Sequence, residues 1–273
     1  MSITWDSGDP PVAPRIGPLG WIRVIFRGLA IIFTIVIGLS ILLPLRLIER
    51  PRHGMFRPWT PYVTRAVCRV SLVWMGLRYE RRGTPMRRPG AIVANHSSWL
   101  DIFTLNASDR IYFVSKSEVA GWPGIGFLAR SVGTLFIARN RKAARAQNQA
   151  FETRLLAGQR LLFFPEGTST DGLRVLAFKS TLFEAFFAPD LRNTLSIQPV
   201  SVTYHAPKGY DPRTYGWWGD MEFGPHLLHT LALARQGRAV VVYHAPIAVA
   251  DMADRKALAG AAERVVRAGH ELA

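Results

Sequence analysis

Cysteine is almost absent from this 273-residue chain, where Cys68 stands alone. A single thiol excludes an intrachain disulfide and fits a reducing compartment, and Cys68 reads as a packing residue in an apolar helix. No group of cysteines and histidines has metal-ligand spacing, so no structural zinc is expected. Internal repeats and low-complexity segments are missing. So is any Gly-x-Ser-x-Gly, which leaves Ser97, Ser98 and Ser169 as capping or hydrogen-bonding residues rather than nucleophiles. Acidic residues are scarce: 19 Asp and Glu stand against 34 Lys and Arg, a net charge of +15.

The excess is uneven. Residues 1–90 hold 14 basic and 4 acidic residues, so +10 of the charge lies in the first third. Basic charge can serve nucleic acid. Here no nucleic-acid motif accompanies it, and the arginines flank long apolar segments. An anionic membrane surface is the better partner, worth about 1 kcal/mol per basic residue near the headgroups.

Charge is missing altogether from Gly28 to Leu45, 18 residues bounded by Arg27 and Arg46. At about 1.5 Å per residue this run just reaches across a bilayer. Arg46 and Arg50 follow where a cleavable signal needs small residues. Two readings stay open: a full span, or a helix lying in the interface and bent at Pro44. Arginines are more numerous after the run (Arg46, Arg50, Arg52, Arg57) than before it (Arg15, Arg23, Arg27), which favours a cytoplasmic main domain. Tyr62 to Leu77, interrupted by Arg65 and Arg69, reads as an amphipathic helix on the membrane or against that domain. The first twenty residues, with four prolines and three glycines, read as a disordered tail. The division is therefore a tail (1–20), membrane-anchoring helices (21–80) and a main domain (81–273).

Apolar strands at 91–95, 111–115, 133–138, 160–164, 195–204 and 238–244 alternate with helical stretches at 98–106, 141–157, 179–188, 225–235 and 252–270. The alternation predicts an α/β fold, a mixed, mostly parallel sheet covered by helices. The proline in Ile197-Gln198-Pro199-Val200 suits an ordinary edge strand or a contact with ligand.

Two motifs carry chemistry. Ala91-Ile92-Val93-Ala94 runs into Asn95-His96-Ser97-Ser98-Trp99-Leu100-Asp101, with Ser97-Ser98 as a helix N-cap region. That turn lets Asp101 reach back to one imidazole nitrogen of His96, fixing the tautomer and leaving the other nitrogen free to accept a proton. Leu161-Leu162-Phe163-Phe164 runs into Pro165-Glu166-Gly167-Thr168-Ser169-Thr170-Asp171-Gly172, polar and glycine-bearing at a strand end, where ligand sites of α/β domains lie.

Together these motifs resemble the PlsC-type glycerolipid acyltransferase family, marked by N-H-x4-D and F-P-E-G-T, over roughly residues 60 to 245. Lys116 to Arg139 looks like its second block and 197–202 like its fourth. The resemblance implies an acyltransferase that moves a fatty acyl group from acyl carrier protein or acyl-CoA to a lipid hydroxyl, with no cofactor. It implies His96 and Asp101 as the catalytic pair. For substrate binding it implies Asn95, Lys116, Arg139, Pro165, Glu166, Gly167, Thr168 and Ser169, with backbone amides near Gly167 or at a helix N-terminus as oxyanion donors.

Lysophosphatidate acyltransferases typically carry arginine where Ser169 stands. This departure, with Tyr215-Gly216-Trp217-Trp218-Gly219-Asp220-Met221 and Phe223-Gly224-Pro225-His226, looks like the branch that acylates lyso-ornithine lipid. Lysophosphatidate remains the alternative acceptor, with Arg174 or Arg139 supplying the charge. For the ornithine head, Asp171 and Asp220 are candidates for the ammonium and Arg139 or Arg174 for the carboxylate. Trp217-Trp218 reads as an interfacial anchor or as core. The branch also implies a bacterial inner membrane.

Overall fold

The computed structural model describes residues 5–6, 8, 10–11, 15–138 and 144–271. Among them, eight strands build one sheet: β1 (Arg78–Arg82), β2 (Gly90–Ala94), β3 (Tyr112–Lys116), β4 (Leu135–Ile137), β5 (Leu161–Phe163), β6 (Ser196–His205), β7 (Arg238–Tyr243) and β8 (Ile247–Ala248). The helices are α1 (Pro18–His53), α2 (Thr60–Met75), α3 (Asp101–Ser108), α4 (Ile125–Val132), α5 (Ala144–Leu156), α6 (Pro189–Arg192), α7 (Phe223–Ala232) and α8 (Arg255–Glu271).

The strand order is β1-β7-β6-β2-β5-β3-β4, with β8 on β6. All pairs are parallel except β6 with β7 and with β8. The sheet is thus mixed and mostly parallel, as the alternation predicts. β2 is buried along its whole length, as a strand covered on both faces must be. Ile92 and Ala94 enter one core with residues of α2 and α3, whereas Ala91 and Val93 enter the other with residues of α5 and α8.

Pro199 proves not to lie on an edge. β6 is central, between β2 and the β7/β8 pair. On the latter side β8 ends its pairing at Ile197 and β7 begins at Val200. Pro199 turns its carbonyl to His244 N there, so its missing N–H falls in the break between partners.

β1 and β8 are strands the sequence pattern does not reveal. β1 reads Arg-Tyr-Glu-Arg-Arg and carries no apolar run, because it is an edge strand with exposed ends; charge on an edge prevents further strand pairing. The stretch at 180–187 is a 3-10 helix rather than an α-helix. α1 begins at Pro18, so the last three residues of the expected tail are helical, and Gly20 is buried.

α1 is longer than its uncharged stretch and stays α-helical through Pro44 and Pro51. Its most apolar 18-residue window has a mean hydropathy of 2.6, and only 17% of that window is buried; it is no core helix. The inward stripe is Gly20, Val24, Ile31, Gly38, Leu42 and Glu49. At Gly38 a Cβ would sit 2.3 Å from Val67, so glycine sets the close approach of α2.

Polar contacts fasten both ends of α1. Arg23 Nε donates to Ala232 O, and Arg27 Nη1 donates to Leu231 O and Leu233 O, capping α7. Glu49, fully buried, accepts from Trp59 N, Thr60 N and Thr60 Oγ1 and so caps α2. Cys68 packs in the core as expected, its thiol pushed up to about 12 by burial.

Candidate active site

β2 ends at Ala94, and Asn95 extends its pairing by one residue through its side chain. Asn95 Nδ2 donates to Val202 O and Asn95 Oδ1 accepts from Val202 N, both at 2.8 Å. This amide is buried and spent on β6. The expectation that Asn95 binds substrate therefore gives way to a fastening task, aiming the next residue out of the sheet.

That residue is His96. Its Nδ1 lies 2.7 Å from Asp101 Oδ2. The same oxygen accepts from Ser97 N at 2.9 Å and Ser98 N at 3.1 Å, while Oδ1 accepts from Tyr204 OH at 2.7 Å. All the other partners are donors, so the hydrogen between His96 and Asp101 sits on Nδ1 and Nε2 is left as a base. Asp101 is the first residue of α3 and wholly buried. The helix N-cap is Leu100 rather than a serine; the carboxylate itself takes the free amides of the turn. The imidazole, about a fifth exposed, stacks on Phe164 at 4.0 Å and 11°, so the two motifs meet ring to ring.

Glu166 completes the turn from the other strand. Oε1 accepts from His96 N at 2.6 Å and Oε2 from Leu176 N at 2.7 Å. Burial pushes this carboxyl up to about 8, against the pull of those two N–H donors. It too is a fastener rather than an exposed ligand. Gly167 adopts φ +73°, and its N–H donates to Phe164 O. With that amide and those of Ser97 and Ser98 spent, none of the three remains as an oxyanion donor.

Pro165 and Ser169 are buried, whereas Gly167, Thr168 and Lys116 are partly exposed. Lys116 ends β3, at the same edge of the sheet as His96. Arg139 lies outside the described residues.

Two loops clamp the turn. Thr170 N donates to His96 O and Trp217 N to Ser97 O. Asp171 is buried and doubly bonded to Arg174, Nε to Oδ1 at 3.3 Å and Nη2 to Oδ2 at 3.0 Å. Neither is therefore an uncommitted charge for a substrate head; Asp220 is exposed. The Trp217-Trp218 pair is core, not anchor. Trp218 is 2% exposed, and Trp217 packs on the core with its Nε1 bonded to Met221 O.

Sequence reasoning assigns no partner to Tyr204 or His226. Trp99 Nε1 donates to His226 Nδ1 at 2.8 Å, and burial lowers this histidine to about 4. Its folded pKa lies below the ordinary value of 6.5, so the stability it contributes is present above pH 6.5 and is lost as pH falls toward 4. The span corresponds to about 3 kcal/mol. We expect His226→Gln to flatten the decline in melting temperature between those pH values, read by circular dichroism; an unchanged pH profile would refute the assignment.

A His–Asp pair and a Pro-Glu-Gly turn at the C-terminal ends of neighbouring parallel strands define the class as acyltransferase. The acyltransferase family model matches residues 78–203. The lyso-ornithine lipid O-acyltransferase of Rhodobacter capsulatus is 54% identical over 267 residues, covering 97% of this chain and 96% of that protein. The Brucella abortus protein of the same name is 38% identical over 192 residues, covering 66% and 70%. The crystal structure of the 1-acyl-sn-glycerophosphate acyltransferase PlsC from Thermotoga maritima shares the fold, with a TM-score of 0.67 at 21% identity over 93% of this chain and 97% of that one. The chain belongs to the acyltransferase family.

Proposed function

We propose that this acyltransferase transfers a fatty acyl group from a thioester to the hydroxyl of lyso-ornithine lipid. The observation that carries the chemistry is the His96–Asp101 pair with Nε2 free. Nε2 takes the proton of the acceptor hydroxyl as that oxygen attacks the thioester carbonyl. The C–S bond then breaks, and the imidazolium returns its proton to the leaving thiolate. Asp101, held by three other donors, keeps the ring oriented throughout.

The acceptor follows from charge. Phosphate esters are met by arginine forks, yet Ser169 occupies the family's arginine position and Arg174 is bound to Asp171. A phosphorus-free acceptor suits a site so arranged, and the names of the full-length relatives agree. The net charge of +15 suits an anionic donor, an acidic acyl carrier protein or the phosphate-bearing acyl-CoA.

α1 packs on α7 near Gly20 and Arg27 and on α2 from Ile31 to Glu49. A perpendicular span would drag α2, with Arg65 and Arg69, into hydrocarbon. This supports α1 lying in the interface, on the cytoplasmic face of a bacterial inner membrane. The test is acyl transfer by purified protein from labelled acyl carrier protein and acyl-CoA, to lyso-ornithine lipid and lysophosphatidate in parallel. The ornithine acceptor should dominate; dominance of lysophosphatidate would sink the acceptor and leave the chemistry standing.

A further inference from the structure

All fourteen basic residues of positions 1–90 are arginine, and several converge away from the catalytic pair, at the other end of α3. Arg65 Nε and Arg69 Nε donate to the same carbonyl, Ala107 O, at 3.3 and 2.9 Å. Arg81 Nη1 donates to Ser108 O at 3.3 Å. Arg110 stacks over the Tyr62 ring at 4.8 Å. The carboxylate beside them, Asp109, is paired with Arg160 at 2.8 Å. Capping an eight-residue helix accounts for the Nε bonds. It leaves the four Nη groups of Arg65 and Arg69 without a hydrogen-bond partner among the described residues. Burial, and then Arg69, depress the Arg65 pKa, with Asp109 acting the other way.

The neighbourhood says which anion. Arg65 and Arg69 lie one turn apart on α2, within a turn of Tyr62 and Val73, which are 52% and 75% exposed. Val70 and Trp74 extend that apolar stripe beside the outward face of α1. Guanidinium forks bordering an exposed apolar helix face stand at headgroup level, and their geometry matches phosphate oxygens.

We propose that Arg65, Arg69 and Arg81 bind the phosphate of an anionic membrane lipid, docking the enzyme through the C-terminus of α3. The proposal rests on the membrane-associated reading above. Since Asp101 begins the same helix, the phosphate is held about 12 Å along α3 from the catalytic pair.

The test is flotation of the full-length protein with phosphatidylcholine vesicles, with and without phosphatidylglycerol. Arg65→Gln/Arg69→Gln is expected to weaken binding to the anionic vesicles about thirtyfold. Arg65→Lys/Arg69→Lys should recover most of it. Arg87→Gln/Arg88→Gln, removing the same charge from an exposed loop, should change it little. If the double Gln variant does not fold, Arg69→Gln alone, at an exposed position, is expected to show about a fivefold loss.

Unchanged vesicle affinity in the Gln variants overturns the proposal, as does an equal loss in the Arg87/Arg88 control. Full competition by millimolar inorganic phosphate would mean a free-anion site. Loss of acyl carrier protein binding with vesicle affinity intact would mean a carrier surface. Either result also overturns it. None of these readouts uses acyl transfer, so failure here is distinct from failure of the catalytic assignment.

Discussion

His96→Ala is expected to lower kcat by about 10²- to 10⁴-fold, the usual worth of positioned proton transfer, with KM and melting temperature close to those of the native protein. The fold should survive because the imidazole stacks on Phe164 and reaches the surface, while Asp101 keeps Ser97 N, Ser98 N and Tyr204 OH as donors. Asp101→Asn should be more damaging to structure. An amide nitrogen at Oδ2 would face two N–H donors and the ring, and at Oδ1 would face the Tyr204 hydroxyl. Single-turnover transfer from labelled thioester, with melting curves alongside, separates the two variants. Ordinary turnover by folded His96→Ala would remove the general base from the mechanism.

The contact between His96 and Asp101 was legible because its geometry is local. Five residues, one turn and a strand before it decide where His96 and Asp101 stand, and short-range spacing encodes all of that. The order of strands and helices was legible for a similar reason, since β2 and β5 are apolar and buried throughout and β6 and β7 are largely buried. Legibility ended where a partner comes from far along the chain. Tyr204 meets Asp101 across 103 residues and His226 meets Trp99 across 127; in sequence each is one more aromatic in a strand or helix. The same distance hid the partners of Asn95 and Glu166. Their polar groups look available for ligand until Val202, Leu176 and the His96 amide are placed against them. Trp217-Trp218 stayed open in sequence for the same reason, because a tryptophan pair reads alike whether it faces lipid or core. β1 was invisible for an electrostatic reason, the arginines of an edge strand masking the alternation.

Glu166→Ala is expected to cost both stability and turnover, and the combination tests what this glutamate does. It leaves His96 N and Leu176 N without their carboxyl-oxygen acceptors, at about 1–3 kcal/mol for each unsatisfied group. That corresponds to a fall in melting temperature of roughly 4–24 °C, at about 2–4 °C per kcal/mol for a chain of this size. The freed His96 amide also loosens the turn, so kcat should drop at least tenfold, since misplacing a catalytic group by about 1 Å costs on the order of 100-fold. Glu166→Gln should fall between, because its carbonyl can still serve one N–H while its NH₂ opposes the other. A glutamate that instead touched the acceptor would show another signature, a raised KM with an unchanged melting temperature. Melting temperature and kcat should therefore fall together in the order Glu, Gln, Ala, with KM nearly constant. A KM effect alone would return Glu166 to the substrate and take the fastening role away from it.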